Sequence, residues 1–181
     1  MNILGLCGSL RDASFNARLL AEAGRCLEEN GAGFQVASIG DVPHYNEDLD
    51  GDDKPASVVA LLDAVGAADA LLIASPEYNY GIPGVLKNAI DWVSRPAYQS
   101  VLKDRPTAIL SASMSTIGGA RMQAQLRGVL AGILTPVYPA PDFLLATAHE
   151  AFDDDGRLAD PKTGQRLERF LRGFRDWAAA Y

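Results

Sequence analysis

The stretch Ala70-Leu71-Leu72-Ile73-Ala74 constrains this chain more than any other, because it is apolar from end to end and lies just before Ser75-Pro76. A run this short reads as a strand, and a strand without a polar face is one that helices cover on both sides. It is expected at the centre of a sheet. Around it, short apolar runs alternate with longer amphipathic segments, the pattern of a mostly parallel α/β sheet.

Five strand and helix pairs follow from that alternation. Asn2 to Cys7 is the first strand, Phe15 to Glu29 the first helix with Gly31 just past its end, and Phe34 to Ser38 the second strand. After a polar, turn-rich stretch from Asp41 to Pro55, a helix over Ala56 to Ala67 leads into the central strand. Pro83 to Arg95 reads as a helix with proline at its start and Pro96 beyond its end. Thr107 to Ser111 is the fourth strand, Gly119 to Leu134 a helix, and the Pro-bounded pair Val137-Tyr138 the expected fifth strand. The acidic turn Asp153-Asp154-Asp155-Gly156 precedes a last helix from about Lys162. Two doubly wound arrangements suit this order, Rossmann-like and flavodoxin-like, and both place ligands beyond the carboxyl ends of the strands. The loops after strands one, three and four therefore carry the functional reading.

Composition narrows the class of function. The 181 residues suit a single domain, and a formal net charge of −7 with no basic run argues against binding to a nucleic-acid backbone. No apolar stretch is long enough to span a bilayer and Met1-Asn2-Ile3-Leu4 carries no basic leader, so the expectation is a cytoplasmic protein without a membrane partner. Cys7 and Cys26 form neither a disulfide framework nor a C-x-x-C pair, so redox chemistry would have to come from a bound cofactor. No metal site is expected: the Asp153 to Asp155 run lacks the spacing of a calcium loop and reads as a solvated turn. His44 and His149 stand alone in loops and receive no role.

The first loop, Gly8-Ser9-Leu10-Arg11-Asp12-Ala13-Ser14-Phe15-Asn16, supplies a tight turn, hydroxyls, a guanidinium and an amide where a helix begins. Free backbone N–H groups and the helix dipole favour an anion there, and Arg11 adds charge-assisted hydrogen bonds. The loop lacks both the glycine spacing of a dinucleotide fingerprint and a G-K-[ST] ending, which points to a mononucleotide phosphate. On a plainer reading Ser14 is a helix N-cap and Arg11 a solvated loop residue. The third loop, Pro76-Glu77-Tyr78-Asn79-Tyr80-Gly81-Ile82-Pro83-Gly84, combines two aromatics with two stiffening prolines and suits a planar, hydrogen-bonding ring such as isoalloxazine. Here too a plainer reading exists, in which the tyrosines cover the sheet end and Asn79 completes a turn. Trp92 reads as core or as a subunit contact.

Gly8-Ser9-Leu10-Arg11 with Ser14 and Asn16, Pro76-Glu77-Tyr78-Asn79, and Pro83-Gly84-Val85-Leu86-Lys87-Asn88-Ala89-Ile90-Asp91-Trp92 together resemble the NADPH-dependent FMN reductase family, which includes quinone, azo-dye and chromate reductases. The resemblance runs from the first strand through the fourth helix, and leaves the tail after about Ala140 unread. It implies a single flavodoxin-like FMN-binding domain over residues 1–181, a five-stranded parallel sheet in the order 2-1-3-4-5, and helices on both faces. It further implies that Ser9, Arg11, Ser14, Phe15 and Asn16 surround the FMN phosphate, that Pro76, Glu77, Tyr78 and Asn79 line the isoalloxazine, and that the segment Ser111 to Arg121 brings Ser113 and Gly118 to the ring. This chain departs from the pattern at Met114-Ser115, where relatives commonly carry Pro-Gly.

The implied activity is electron transfer from NADPH or NADH through FMN to a quinone or a similar small acceptor, in a ping-pong hydride mechanism. The flavin carries that chemistry, so no catalytic side chain is named. The resemblance also implies a homodimer or homotetramer with Trp92, Arg95 and Arg121 near a subunit boundary. The competing class is a flavodoxin-like electron carrier or flavin-binding regulatory module that does not oxidise NAD(P)H, which the arginine of the first loop argues against.

Overall fold

A computed structural model describes residues 1–181. Five strands, β1 (Asn2–Cys7), β2 (Gly33–Ala37), β3 (Ala70–Ala74), β4 (Thr107–Ala112) and β5 (Phe143–Leu145), form one parallel sheet in the order β2-β1-β3-β4-β5. The crossovers are α1 (Phe15–Glu29), α2 (Ala56–Ala67), α3 (Gly84–Val93) and α4 (Ala120–Gly132), and α5 (Pro161–Ala178) closes the chain. Every residue of β3 is buried, as its apolar run requires of a central strand.

Alternation along the strands divides the core into two layers. Leu71 and Ile73 join Leu4, Leu6 and Ile109 beneath α2, α3 and α4, whereas Ala70, Leu72 and Ala74 join Ile3, Ala108 and Leu110 beneath α1 and α5. Trp92 is fully buried in the first layer and donates Nε1–H to the Pro43 carbonyl at 2.7 Å, which makes it core and removes it from any subunit boundary. The loop that includes Pro43 is held further by Asn88, whose Oδ1 accepts from Tyr45 N at 2.8 Å while Nδ2 donates to Pro43 O at 2.9 Å.

The fifth strand departs from the expectation. Val137-Tyr138 begins a ladder beside the start of β4, with Tyr138 N donating to Thr107 O at 2.8 Å, but makes only an isolated bridge. Pro139 and Pro141 then remove the donors that a strand between neighbours needs, and pairing resumes only at Phe143–Leu145 against Leu110–Ala112. Tyr138 turns its ring instead against Phe170, Phe174 and Trp177 of α5. The stretch after Ala140, which the family resemblance left unread, thus supplies an edge of the sheet and, in the last helix expected from about Lys162, the element that covers it. Leu167, Leu171 and Phe174 of α5 are buried on this face, each worth roughly 1.5–3 kcal/mol of apolar burial. Asp160 caps that helix by accepting from the N–H groups of Lys162 (3.2 Å) and Thr163 (3.1 Å).

Candidate functional site

A cleft of about 210 Å³ opens where the strand order reverses, beyond the carboxyl ends of β1, β3 and β4. All three loops reach it. Of the eleven residues expected at a ligand, Ser9, Arg11, Ser14, Phe15, Asn16, Pro76, Glu77, Tyr78 and Ser113 line the cleft. Asn79 and Gly118 do not, and Ala112 and Met114 do without having been expected.

The first loop enters α1 through Ser14, whose Oγ accepts from Ala17 N at 3.2 Å, so the N-cap reading of this residue holds. The N–H groups of Phe15 and Asn16 are left without a partner at the helix start, on the cleft side where the dipole is positive. Arg11 is exposed; its Nη2 donates to Ala13 O at 2.9 Å, and its guanidinium carbon stands 5.8 Å from the centroid of the Phe15 ring. No carboxylate pairs with it. Burial pushes the Cys7 thiol up, and the protonated sulfur donates to Ser9 O at 3.5 Å.

Asn16 does something that its residue type alone does not reveal. Its Nδ2 donates to Ala112 O at 2.9 Å and its Oδ1 accepts from Ala112 N at 2.8 Å, so a buried amide joins the start of α1 to the end of β4. This side chain braces the cleft floor rather than reaching across it.

The third loop is a tight hairpin. Tyr78 and Gly81 exchange both backbone hydrogen bonds (3.1 and 3.0 Å), and the two residues between them, Asn79 and Tyr80, have φ of 48° and 69°. Tyr78, half exposed, lines the cleft, and Asn79 does not. The carboxylate of Glu77 is directed at α4: Oε2 accepts from Arg121 N at 3.1 Å and Oε1 lies 3.3 Å from Arg121 Nη1. Glu77 thus lines the cleft while its charged group is committed to a helix.

The fourth loop folds back between β4 and β5. Gly118 is buried, with φ of 65°, and a Cβ there would lie 2.9 Å from Leu144 Cβ, so glycine is required by a close approach. Ser111 Oγ donates to Gly118 O at 2.6 Å, and Gln123 Nε2 donates to Ser111 Oγ (2.9 Å) and to Phe143 O (3.0 Å). The departure at Met114-Ser115 is accommodated by a local turn: Ser115 N donates to Ser113 Oγ at 3.2 Å, and Met114 is left 60% exposed on the cleft rim. Sequence reasoning missed Ser111 and Gln123; the available signal was a polar side chain within an apolar strand and another on the covered side of α4.

A parallel sheet ordered 2-1-3-4-5, with a phosphate-type helix start and an aromatic hairpin meeting at its switch point, defines a flavodoxin-like nucleotide-binding fold. Comparison with known proteins narrows this class. Residues 1–150 match the family described as NADPH-dependent FMN reductase. A protein named NAD(P)H-dependent FMN reductase from Pseudomonas aeruginosa is 41% identical over 179 residues, covering 98% of this chain and 95% of that one. A quinone reductase from Pseudomonas putida is 38% identical over 170 residues, covering 94% and 90%. Among solved structures, the flavoenzyme NAD(P)H:(acceptor) oxidoreductase FerB from Paracoccus denitrificans superposes with a TM-score of 0.91 at 37% identity, covering 99% of this chain and 97% of that one. The chain belongs to the NADPH-dependent FMN reductase family, and is an oxidoreductase of that flavin-dependent class.

Proposed function

We propose that the cleft holds FMN, with Ser9, Arg11, Ser14, Phe15 and Asn16 around its phosphate and Pro76, Glu77, Tyr78 and Ser113 beside its isoalloxazine, in one domain spanning residues 1–181. One observation carries the reading: an unpaired guanidinium and two unpartnered helix N–H groups face the same cleft as Tyr78 and Met114. A phosphate monoester needs the first set and an aromatic ring system the second. The residues present therefore fit the group. Asn79 and Gly118 act in this reading by shaping their loops.

The chemistry that FMN supplies when bound is a two-electron couple, filled from NADPH or NADH and emptied into a small acceptor in a ping-pong cycle. The side chains position and shield. Arg11 and the α1 start hold the anionic end, the hairpin of Tyr78 to Gly81 sets the ring-side wall, and Asn16 with Gln123 fixes the distance between loops through buried hydrogen bonds. A quinone is the acceptor class best supported, since relatives 37–38% identical over 170 residues or more carry quinone reductase names.

Subunit association belongs to the same reading. Leu10 (59% exposed), Tyr80 (74%) and Met114 (60%) are large apolar side chains left exposed on the three loops that build the cleft, the kind of surface that a homodimer or homotetramer covers. No helix is long and apolar enough to cross a membrane, and a cytoplasmic location fits the chain.

The test is to mix FMN-loaded protein with NADPH, and separately NADH, under anaerobic conditions. Flavin absorbance is expected to bleach and to return when a benzoquinone is added. Absorbance that stays unbleached with both nucleotides refutes the enzyme reading and favours an electron carrier.

A further inference from the structure

Three contacts tie the ring-side hairpin to α4. At its entry, Glu77 Oε2 accepts from the N–H groups of Arg121 (3.1 Å) and Met122 (3.4 Å), and Oε1 pairs with Arg121 Nη1 at 3.3 Å. At its tip, the Arg121 guanidinium lies 4.0 Å from the centroid of the Tyr80 ring. At its exit, Gln125 Oε1 accepts from Ile82 N at 2.7 Å.

Glu77 is the hub of this arrangement. The N-cap residue of α4, Gly119, has no side chain with which to cap, so a carboxylate 44 residues upstream in the chain does so. The same carboxylate neutralises Arg121 and so sets the guanidinium over Tyr80. A turn with two successive non-glycine residues at positive φ stores strain, and such a turn persists only where its surroundings impose it. Its internal support is one pair of backbone hydrogen bonds; the rest comes from α4.

We infer that Glu77 is a positioning residue for the ring side of the flavin site, acting through α4 and the hairpin rather than by contact of its charge with the ring. The inference rests on the proposal that the cleft binds FMN, and adds to it a division of labour: Arg11 governs the phosphate, Glu77 the placement of the ring wall.

Two flavins separate the two claims. Apo-protein of the wild type, E77A, E77Q and R11A is titrated with FMN and with riboflavin, which has the same ring and no phosphate, and the visible circular dichroism of bound flavin is recorded. Chymotryptic cleavage after Tyr78 or Tyr80 is followed in the flavin-free proteins. E77A is expected to weaken both flavins by the same factor, about tenfold, to alter the dichroism and to speed cleavage. E77Q keeps an acceptor for the α4 amides but loses the ion pair, and is expected to fall between, at about threefold. Should E77A fail to fold, E77Q decides: intermediate behaviour supports the role and wild-type behaviour in all three readouts overturns it. R11A is expected to weaken FMN while sparing riboflavin; equal losses for both flavins there would overturn the phosphate assignment and leave the cleavage assay to judge Glu77 alone.

Discussion

Replacing Asn16 with alanine is the sharpest single test of how the cleft is built. The side chain is 3% exposed and makes two hydrogen bonds, of 2.9 and 2.8 Å, to both backbone groups of Ala112 at the carboxyl end of β4. Alanine leaves the Ala112 N–H and C=O buried without partners, and an orphaned buried group costs about 1–3 kcal/mol. Water entering the vacated volume recovers part of this, so the expected loss of stability is about 2–4 kcal/mol. In a chain of 181 residues that corresponds to a fall in melting temperature of roughly 4–16 °C. Aspartate is a stricter probe, because it still accepts from Ala112 N but sets a second oxygen against Ala112 O. Asn16→Asp is therefore expected to be at least as damaging as alanine despite its similar size. Urea denaturation followed by far-UV circular dichroism measures both, with the slope against urea checked for constancy. Losses below about 0.5 kcal/mol in both variants would refute the view that this amide carries the link between α1 and β4.

Three further expectations follow from other parts of the molecule. Gly119→Ala places a Cβ 2.8 Å from Ser111 Cβ at a φ of 90°, and is expected to cost about 2–3 kcal/mol with loss of flavin affinity, read by the same denaturation and by FMN titration. Burial, with the charges of Glu22, Glu168 and Glu29 next in weight, pushes the Cys26 thiol up to about 11, so iodoacetamide at pH 8 should modify it about a hundredfold more slowly than an unperturbed thiol; an ordinary rate would contradict that environment. The Asp160 carboxyl is held below the usual carboxylate range, first by the Thr163 hydroxyl and then by the Lys162 amide. Because its folded value is lowered, the stabilisation is complete above the unfolded value and drains away as the pH falls through the folded one; the stability gap between wild type and Asp160→Ala should close below about pH 4.

Much of the site was legible because its chemistry is local. A helix N-terminus after a strand, with Ser14, Arg11 and unfilled N–H groups, is a property of consecutive residues, and nine of the eleven expected residues line one cleft. What the sequence left unread involves contacts distant in the chain. Glu77 lines the cleft as expected, but nothing in the sequence signals that its carboxylate also caps α4, a partner 44 residues away. Gly118 was expected near the ring, and the close packing against Leu144 that fixes its place in the fold was not legible. The fifth strand was assigned to Val137-Tyr138 because prolines bracket an apolar pair there, yet ladder bonds require donors that Pro139 and Pro141 lack, and Phe143–Leu145 takes the position.

By itself, the sequence determined the alternation of strands and helices, the central placement of Ala70–Ala74, and the kinds of group offered at each loop, since periodicity and residue type act over a few neighbouring positions. Tertiary structure alone decided which of those groups face the cleft and which brace it. Asn16 finds Ala112 across 96 residues, and Gln123 joins Ser111 to Phe143, because a buried amide or hydroxyl must be satisfied by whatever the fold brings within about 3 Å.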